Sequence, residues 1–146
     1  MDFDTQVKIS VYRHFADTGE APSTVDVAGR LGCTSSEVSD AFTRLRLQRV
    51  LLLEEDGATI RMAPPFSGVP TPHRVESAGR WYFANCAWDA FGICAALHAD
   101  GRIESSCPDC GEPLAVEVKD GRPGDDRLLY HCLVPAARWW DDIVFT

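Results

Sequence analysis

Cys86 and Asp89 stand three residues apart in NCAWDAF, in a stretch crowded with Trp81, Tyr82, Phe83, Trp88 and Phe91. Residues at that spacing share one face of a helix, so a thiol and a carboxyl placed this way can address the same bound atom. A thiolate is a soft nucleophile and metal ligand. In a poorly hydrated aromatic setting a carboxyl favours its protonated form, which makes Asp89 a candidate proton donor. The same pair also admits a structural reading, with Cys86 filling core space and Asp89 satisfied by a hydrogen bond. A second set of soft ligands lies further on. CPDCG sets Cys107 and Cys110 in a Cys-x-x-Cys knuckle, and His131-Cys132 follow one hairpin later. Cys107, Cys110, His131 and Cys132 are thus the right types for a tetrahedral structural zinc site. The competing reading is a tight turn made by Pro108, Asp109 and Gly111 with free thiols. Cys33 and Cys94 read as packing residues and His14 and His98 as isolated side chains, while Asp141-Asp142 reads as a solvated helix face. No glycine pattern able to cradle a phosphate occurs.

These residues need elements to hold them. Apolar residues recur at helical spacing over 3–15, ending at Gly19, and Ser23 or Thr24 and then Thr34 or Ser35 can cap two further helices. VLLLEEDGATIRM follows as two short strands joined at Asp56-Gly57, which completes a winged-helix outline over 1–62. APPFSGVPTP holds four prolines and a glycine. It resists helix and sheet, so 63–73 reads as a linker before a second unit at 74–146. In that unit 79–98 is expected to be a largely buried helix carrying Cys86 and Asp89, packed through its aromatic residues, Ile93 and Leu97. The segments 102–105, 114–118 and 128–133 read as strands, DGRPGDD at 120–126 as an exposed hairpin loop, and the tail as a helix starting at Pro135 with two tryptophans to bury. The fold class expected is α+β: a winged-helix-like helical unit followed by a small mixed α+β unit.

Composition bounds the partners. The 146 residues carry 14 Lys and Arg against 22 Asp and Glu, a net charge of -8, with 45% hydrophobic residues, which excludes a disordered chain. No apolar run approaches the roughly 20 residues of a membrane span. The start MDFDTQVKIS has no apolar signal region, so a cytoplasmic location and reduced thiols are expected. A winged-helix outline raises a regulator that binds DNA and a thiophilic metal as the alternative function. Arg44, Arg46 and Arg49 could meet phosphates, but Glu37, Asp40 and the acidic turn EEDG would repel a duplex, so nucleic acid is not the expected partner.

The ordered run NCAWDAFGICAALHADGRIESSCPDCGEPLAVEV resembles the core of the organomercurial (alkylmercury) lyase family. It has an aromatic residue ahead of a Cys-Ala-x-Asp segment (Cys86, Ala87, Asp89), small residues and glycine, a strand ending in Ser105, Ser106 and Cys107, a Gly-x-Pro turn, and an alternating strand. The likeness runs from about 80 to 146. It implies carbon–mercury bond cleavage. Cys86 would be nucleophile and mercury ligand, and Asp89 the proton donor and a mercury-binding residue with it. Hydrocarbon would leave, and Hg(II) would stay on thiolates until an exogenous thiol or a mercuric reductase accepts it. No organic cofactor is implied. Cys107 corresponds to a cysteine with a structural role. The family's second mercury-binding cysteine would fall immediately after Thr146, where this sequence stops, which leaves Cys132 as the fallback second ligand. An inactive relative that only sequesters metal is a further alternative.

Overall fold

The computed structural model describes residues 1–125 and 127–145; Asp126 and Thr146 lie outside the described residues. Local signals start the first half. Helix α1 (Phe3–Thr18) begins where the Asp2 carboxylate takes the Thr5 N–H at 2.9 Å. It stops at Gly19, whose φ of 80° suits a residue without Cβ. Helices α2 (Thr24–Leu31) and α3 (Ser35–Leu47) both open with capping boxes, Ser23 with Asp26 and Thr34 with Glu37. Val7, Val11 and Phe15 on α1, Val27 on α2, and Val38, Ala41, Phe42 and Leu45 on α3 are buried. They follow the three-and-four spacing of a helix that hides one stripe.

Strands β1 (Leu52–Leu53) and β2 (Ile60–Ala63) form the expected hairpin, with the Asp56 carboxylate accepting the Ala58 and Thr59 N–H groups at 2.9 and 2.8 Å. The proline-rich stretch departs from expectation, because it contributes strand β3 (Phe66–Ser67), antiparallel to β2 and buried. Pro64 and Pro65 lack N–H groups, yet the residues after them still pair.

The second sheet is antiparallel throughout, in the order β5-β4-β6-β7-β8. Its strands are β4 (Arg74–Ser77), β5 (Arg80–Phe83), β6 (Gly101–Ser106), β7 (Pro113–Lys119) and β8 (Arg122–Pro123). Helix α4 (Ala87–Leu97) lies on β4 and β6, burying Ala90, Ile93 and Cys94. Val75, Ile103, Val116 and Val118 from the sheet are buried in the same core. The α+β class expected from sequence is what the chain adopts.

Three local expectations are corrected. The helix expected over 79–98 is a turn, a strand and a shorter helix: Ala78 and Gly79, both at positive φ, turn the chain, and Arg80 to Phe83 pair with β4. An unbroken aromatic run satisfies a strand as readily as a helix, and the available ladder decided it. Trp81 and Trp88 are accordingly exposed rather than buried. Segment 128–133 forms no strand despite its alternation, and Leu129 and Leu133 are exposed. The tail forms a 3-10 helix, Ala136–Asp141, after Pro135, with Trp139 and Trp140 only half-buried. The hairpin expected at 120–126 turns at Asp120-Gly121 between β7 and β8, and its Asp126 lies outside the described residues.

Both halves share one core. Phe66 stacks on Phe15 with ring centroids 5.2 Å apart and lies 5.6 Å from Tyr82. The Tyr82 hydroxyl donates to the Ala16 carbonyl at 2.7 Å. Among the described residues no helix is long and apolar enough to cross a membrane.

Candidate active site

After β5, Ala84 bridges to Phe66 and the chain turns through Asn85 and Cys86 into α4. Cys86 is therefore not on the helix, as the spacing suggested, but at its N-cap, with φ -152°. Its sulfur accepts the Asp89 N–H at 3.5 Å, and its carbonyl accepts the Ala90 N–H at 3.0 Å. The pair still converges, because an N-cap side chain and the third helical residue face each other across the first turn.

Asp89 differs from its counterparts in α2 and α3. Asp26 and Glu37 reach back to the N-cap backbone N–H groups of Ser23 and Thr34 at 2.8 and 2.9 Å. Asp89 instead accepts the Asn85 side-chain amide on Oδ2 at 3.0 Å, and the same amide nitrogen donates to the Phe66 carbonyl at 3.2 Å. Asn85 Oδ1 is buried without a partner.

These three residues open onto a cavity of about 590 Å³. Its wall is largely apolar and aromatic: Tyr12, Met62, Pro64, Trp88, Tyr130, Trp139, Trp140, Ile143 and Val144, with Lys8 and Arg49 also lining it. Tyr12 is held by its hydroxyl donating to the Pro64 carbonyl at 3.0 Å, and Trp88 packs on Tyr130 with centroids 5.8 Å apart. The size and character suit a small, mostly apolar ligand fixed by a few polar groups.

Burial sets the protonation states. It pushes the Asp89 carboxyl above the ordinary carboxylate range, and the Asn85 amide only partly offsets this. Burial also raises the Cys86 thiol, against the pull of the Asp89 N–H and of a hydrogen bond from Tyr130. The Tyr130 hydroxyl is itself pushed up to about 12 by burial and by the adjacent Cys86 sulfur. The carboxyl thus holds its proton more tightly than an exposed one would, beside a thiol that is deprotonated at some cost and is best stabilised by bonding a soft cation.

The remaining sequence candidates lie elsewhere. All six cysteines are free thiols. Cys94 is buried under α4 and Cys33 sits at the edge of the helical core. Cys107 and Cys110 form a turn at the far end of β6, and Ser105 beside them bonds His73 Nδ1 at 2.8 Å. The expected zinc quartet is not assembled: among the described residues, no three His, Cys, Asp or Glu side chains gather to hold a metal ion. Because 128–133 is not a strand, it carries Tyr130 to the Cys86 cavity and leaves Cys132 in a small neighbouring pocket, with its thiol donating to the Val134 carbonyl at 2.8 Å. Arg44, a candidate phosphate contact, is held by the Asp4 carboxylate at 2.7 Å. Asp141 pairs with Arg138 at 3.0 Å.

Sequence reasoning missed Asn85 and Tyr130. Asn85 adjoins the reactive pair, so adjacency was its one signal. Tyr130 had none, because its contact with Cys86 depends on the path of an irregular segment.

Known proteins resemble this chain in sequence and fold. Alkylmercury lyases of Bacillus cereus and Clostridium butyricum are each 28% identical to the chain over 101 residues, covering 69% of it and 44% of each relative. The chain thus spans less than half the length of these curated relatives. The solved mercury-bound form of MerB2 is similar with a TM-score of 0.59 and 25% identity, over 83% of this chain and 66% of that one. The profile of the alkylmercury lyase family matches residues 66–146, which takes in the whole of the Asn85, Cys86 and Asp89 turn, and the chain belongs to that family.

Proposed function

We propose that the protein cleaves carbon–mercury bonds, with Cys86 as the capturing thiol and Asp89 as the acid. The observation that carries this is the pairing of a cavity-facing N-cap thiol with a half-buried carboxyl whose proton affinity is raised by desolvation. An organomercurial R–Hg–SR′ exchanges its thiolate for Cys86, giving Cys86–S–Hg–R and R′SH; mercury prefers this soft ligand to oxygen or nitrogen. A second thiolate on mercury increases electron density at the bound carbon. Asp89 then delivers its proton to that carbon, R–H leaves, and the electron pair of the carbon–mercury bond goes with it. Hg(II) remains on two thiolates and Asp89 is left as carboxylate, to be reprotonated from solvent. Trp88, Tyr130 and the tail tryptophans line the cavity around the bond being broken and reduce its hydration, which favours the protonated form of Asp89. Solution monothiol can supply the second thiolate. Cys132, on the far side of Tyr130, is the intramolecular candidate, and Cys132→Ser tests it.

The deciding assay is benzene release from phenylmercury under excess thiol. Wild type should release it, Cys86→Ser should lose the cavity adduct and release none, and Asp89→Asn should form the adduct without releasing benzene. A wild-type adduct that never yields benzene removes the lyase reading and leaves mercury capture.

A further inference from the structure

The turn between β6 and β7 plays no part in the chemistry above, yet it presents two thiols in a fixed frame. The Cys107 N–H donates to the Glu112 carbonyl at 2.9 Å, and the Gly111 N–H donates to the Cys107 carbonyl at 2.8 Å. Gly111 closes the turn at φ 75°, a conformation that glycine takes without strain. Cys107 is half-exposed, Cys110 is exposed, and both are free. Cys86, by contrast, faces the cavity rather than open solvent. Zinc would need four ligands, and no third donor joins the pair among the described residues. A soft cation that is satisfied by two sulfurs needs no more than these two.

We propose that Cys107 and Cys110 form a solvent-facing dithiolate site for a two-coordinate soft cation, with Hg(II) as its ligand, separate from the Cys86 cavity. Loading is a ligand exchange without change of oxidation state. Hg(SR)2 bonds both knuckle sulfurs, both Hg–SR bonds break, and the two protein protons leave on two molecules of RSH. The site rests on the lyase reading only for one source of its Hg(II); its existence does not depend on that reading.

The test uses the full chain and mercuric chloride in 2-mercaptoethanol, following retained mercury by dialysis and sulfur-to-mercury charge-transfer absorbance. Cys86→Ser should retain one Hg(II) per chain. Cys86→Ser/Cys110→Ser should lose it at roughly tenfold less monothiol, because a chelating second thiol acts at millimolar or higher effective concentration. Cys86→Ser/Cys107→Ser should behave the same way, and Cys86→Ser/Cys132→Ser should match Cys86→Ser. Cys110 is exposed, so its replacement leaves the fold intact, as circular dichroism would verify. Equal retention with and without Cys110, or loss on replacing Cys132 instead, overturns the proposal. Cys110→Ser alone should still release benzene from phenylmercury, so failure of the cleavage chemistry and failure of this site are read in different assays.

Discussion

The sulfur of Cys86 occupies the place where Ser23 and Thr34 put a hydroxyl, accepting the N–H of the third helical residue, Asp89, at 3.5 Å. Serine is among the favoured N-cap residues. Cys86→Ser is therefore expected to fold with unchanged or slightly greater stability, by up to about 1 kcal/mol, while the equivalent of phenylmercury bound in the cavity is lost. Urea denaturation and mercury stoichiometry on the same sample check both halves. A large stability loss would mean that the thiol is mainly a packing group.

Proton transfer from the preformed Cys86–mercury–phenyl adduct should require protonated Asp89. The rate in a single turnover should be highest at low pH and fall as pH rises through the raised Asp89 value, above the ordinary carboxylate range. Asp89→Asn should lower it by at least about 100-fold and flatten the profile. Stability carries the same sign. The folded form holds the Asp89 proton more tightly than the unfolded chain, so this group's contribution is full at low pH and is lost as pH rises between the unfolded and folded values. Asp89→Asn should remove that part of the pH dependence, measured by denaturation at several pH values.

Asn85 donates to the Asp89 carboxylate, which favours the charged form. Asn85→Ala should push the acid higher still, moving the descending limb of the rate profile to higher pH. A limb that stays in place would show that the amide serves the backbone at Phe66 alone.

Tyr130→Phe removes the hydroxyl that favours the Cys86 thiolate. Capture at neutral pH should slow by roughly tenfold, the effect of about one hydrogen bond, and the loss should shrink as pH rises. Alkylation of Cys86 by a thiol reagent across a pH series is the measurement.

Gly19 ends α1 at φ 80°, where an added Cβ would collide with the Trp81 carbonyl oxygen of the second half. Gly19→Ala should cost at least about 2 kcal/mol from the left-handed conformation and the backbone clash, seen as a lower urea midpoint.

The helical half was legible from sequence because its determinants are local. Ser23, Thr34, Gly19 and Gly32 mark ends within a few residues of what they terminate. The alternating strands β6 and β7 were readable for the same reason. The aromatic run 80–83 was misread because uniform hydrophobicity carries no period, and β4 was the missing information. Segment 128–133 failed in the opposite way, with a clean alternation and no neighbouring ladder. At the site, the spacing of Cys86 and Asp89 announced their convergence, but not that the thiol caps the helix. The zinc quartet was a local pattern of ligand types that the path of the chain pulls apart.

Phe66 has the widest consequence. Its ring lies on Phe15 and its carbonyl holds the amide that holds Asp89. The first helix is therefore part of the dielectric around the acid, and its packing sets how tightly a proton is kept at the far end of that chain of contacts. A conservative change such as Phe15→Leu, remote from any mercury atom, would register as an altered proton affinity at Asp89. The helical half is an electrostatic component of the Asp89 environment as well as its support.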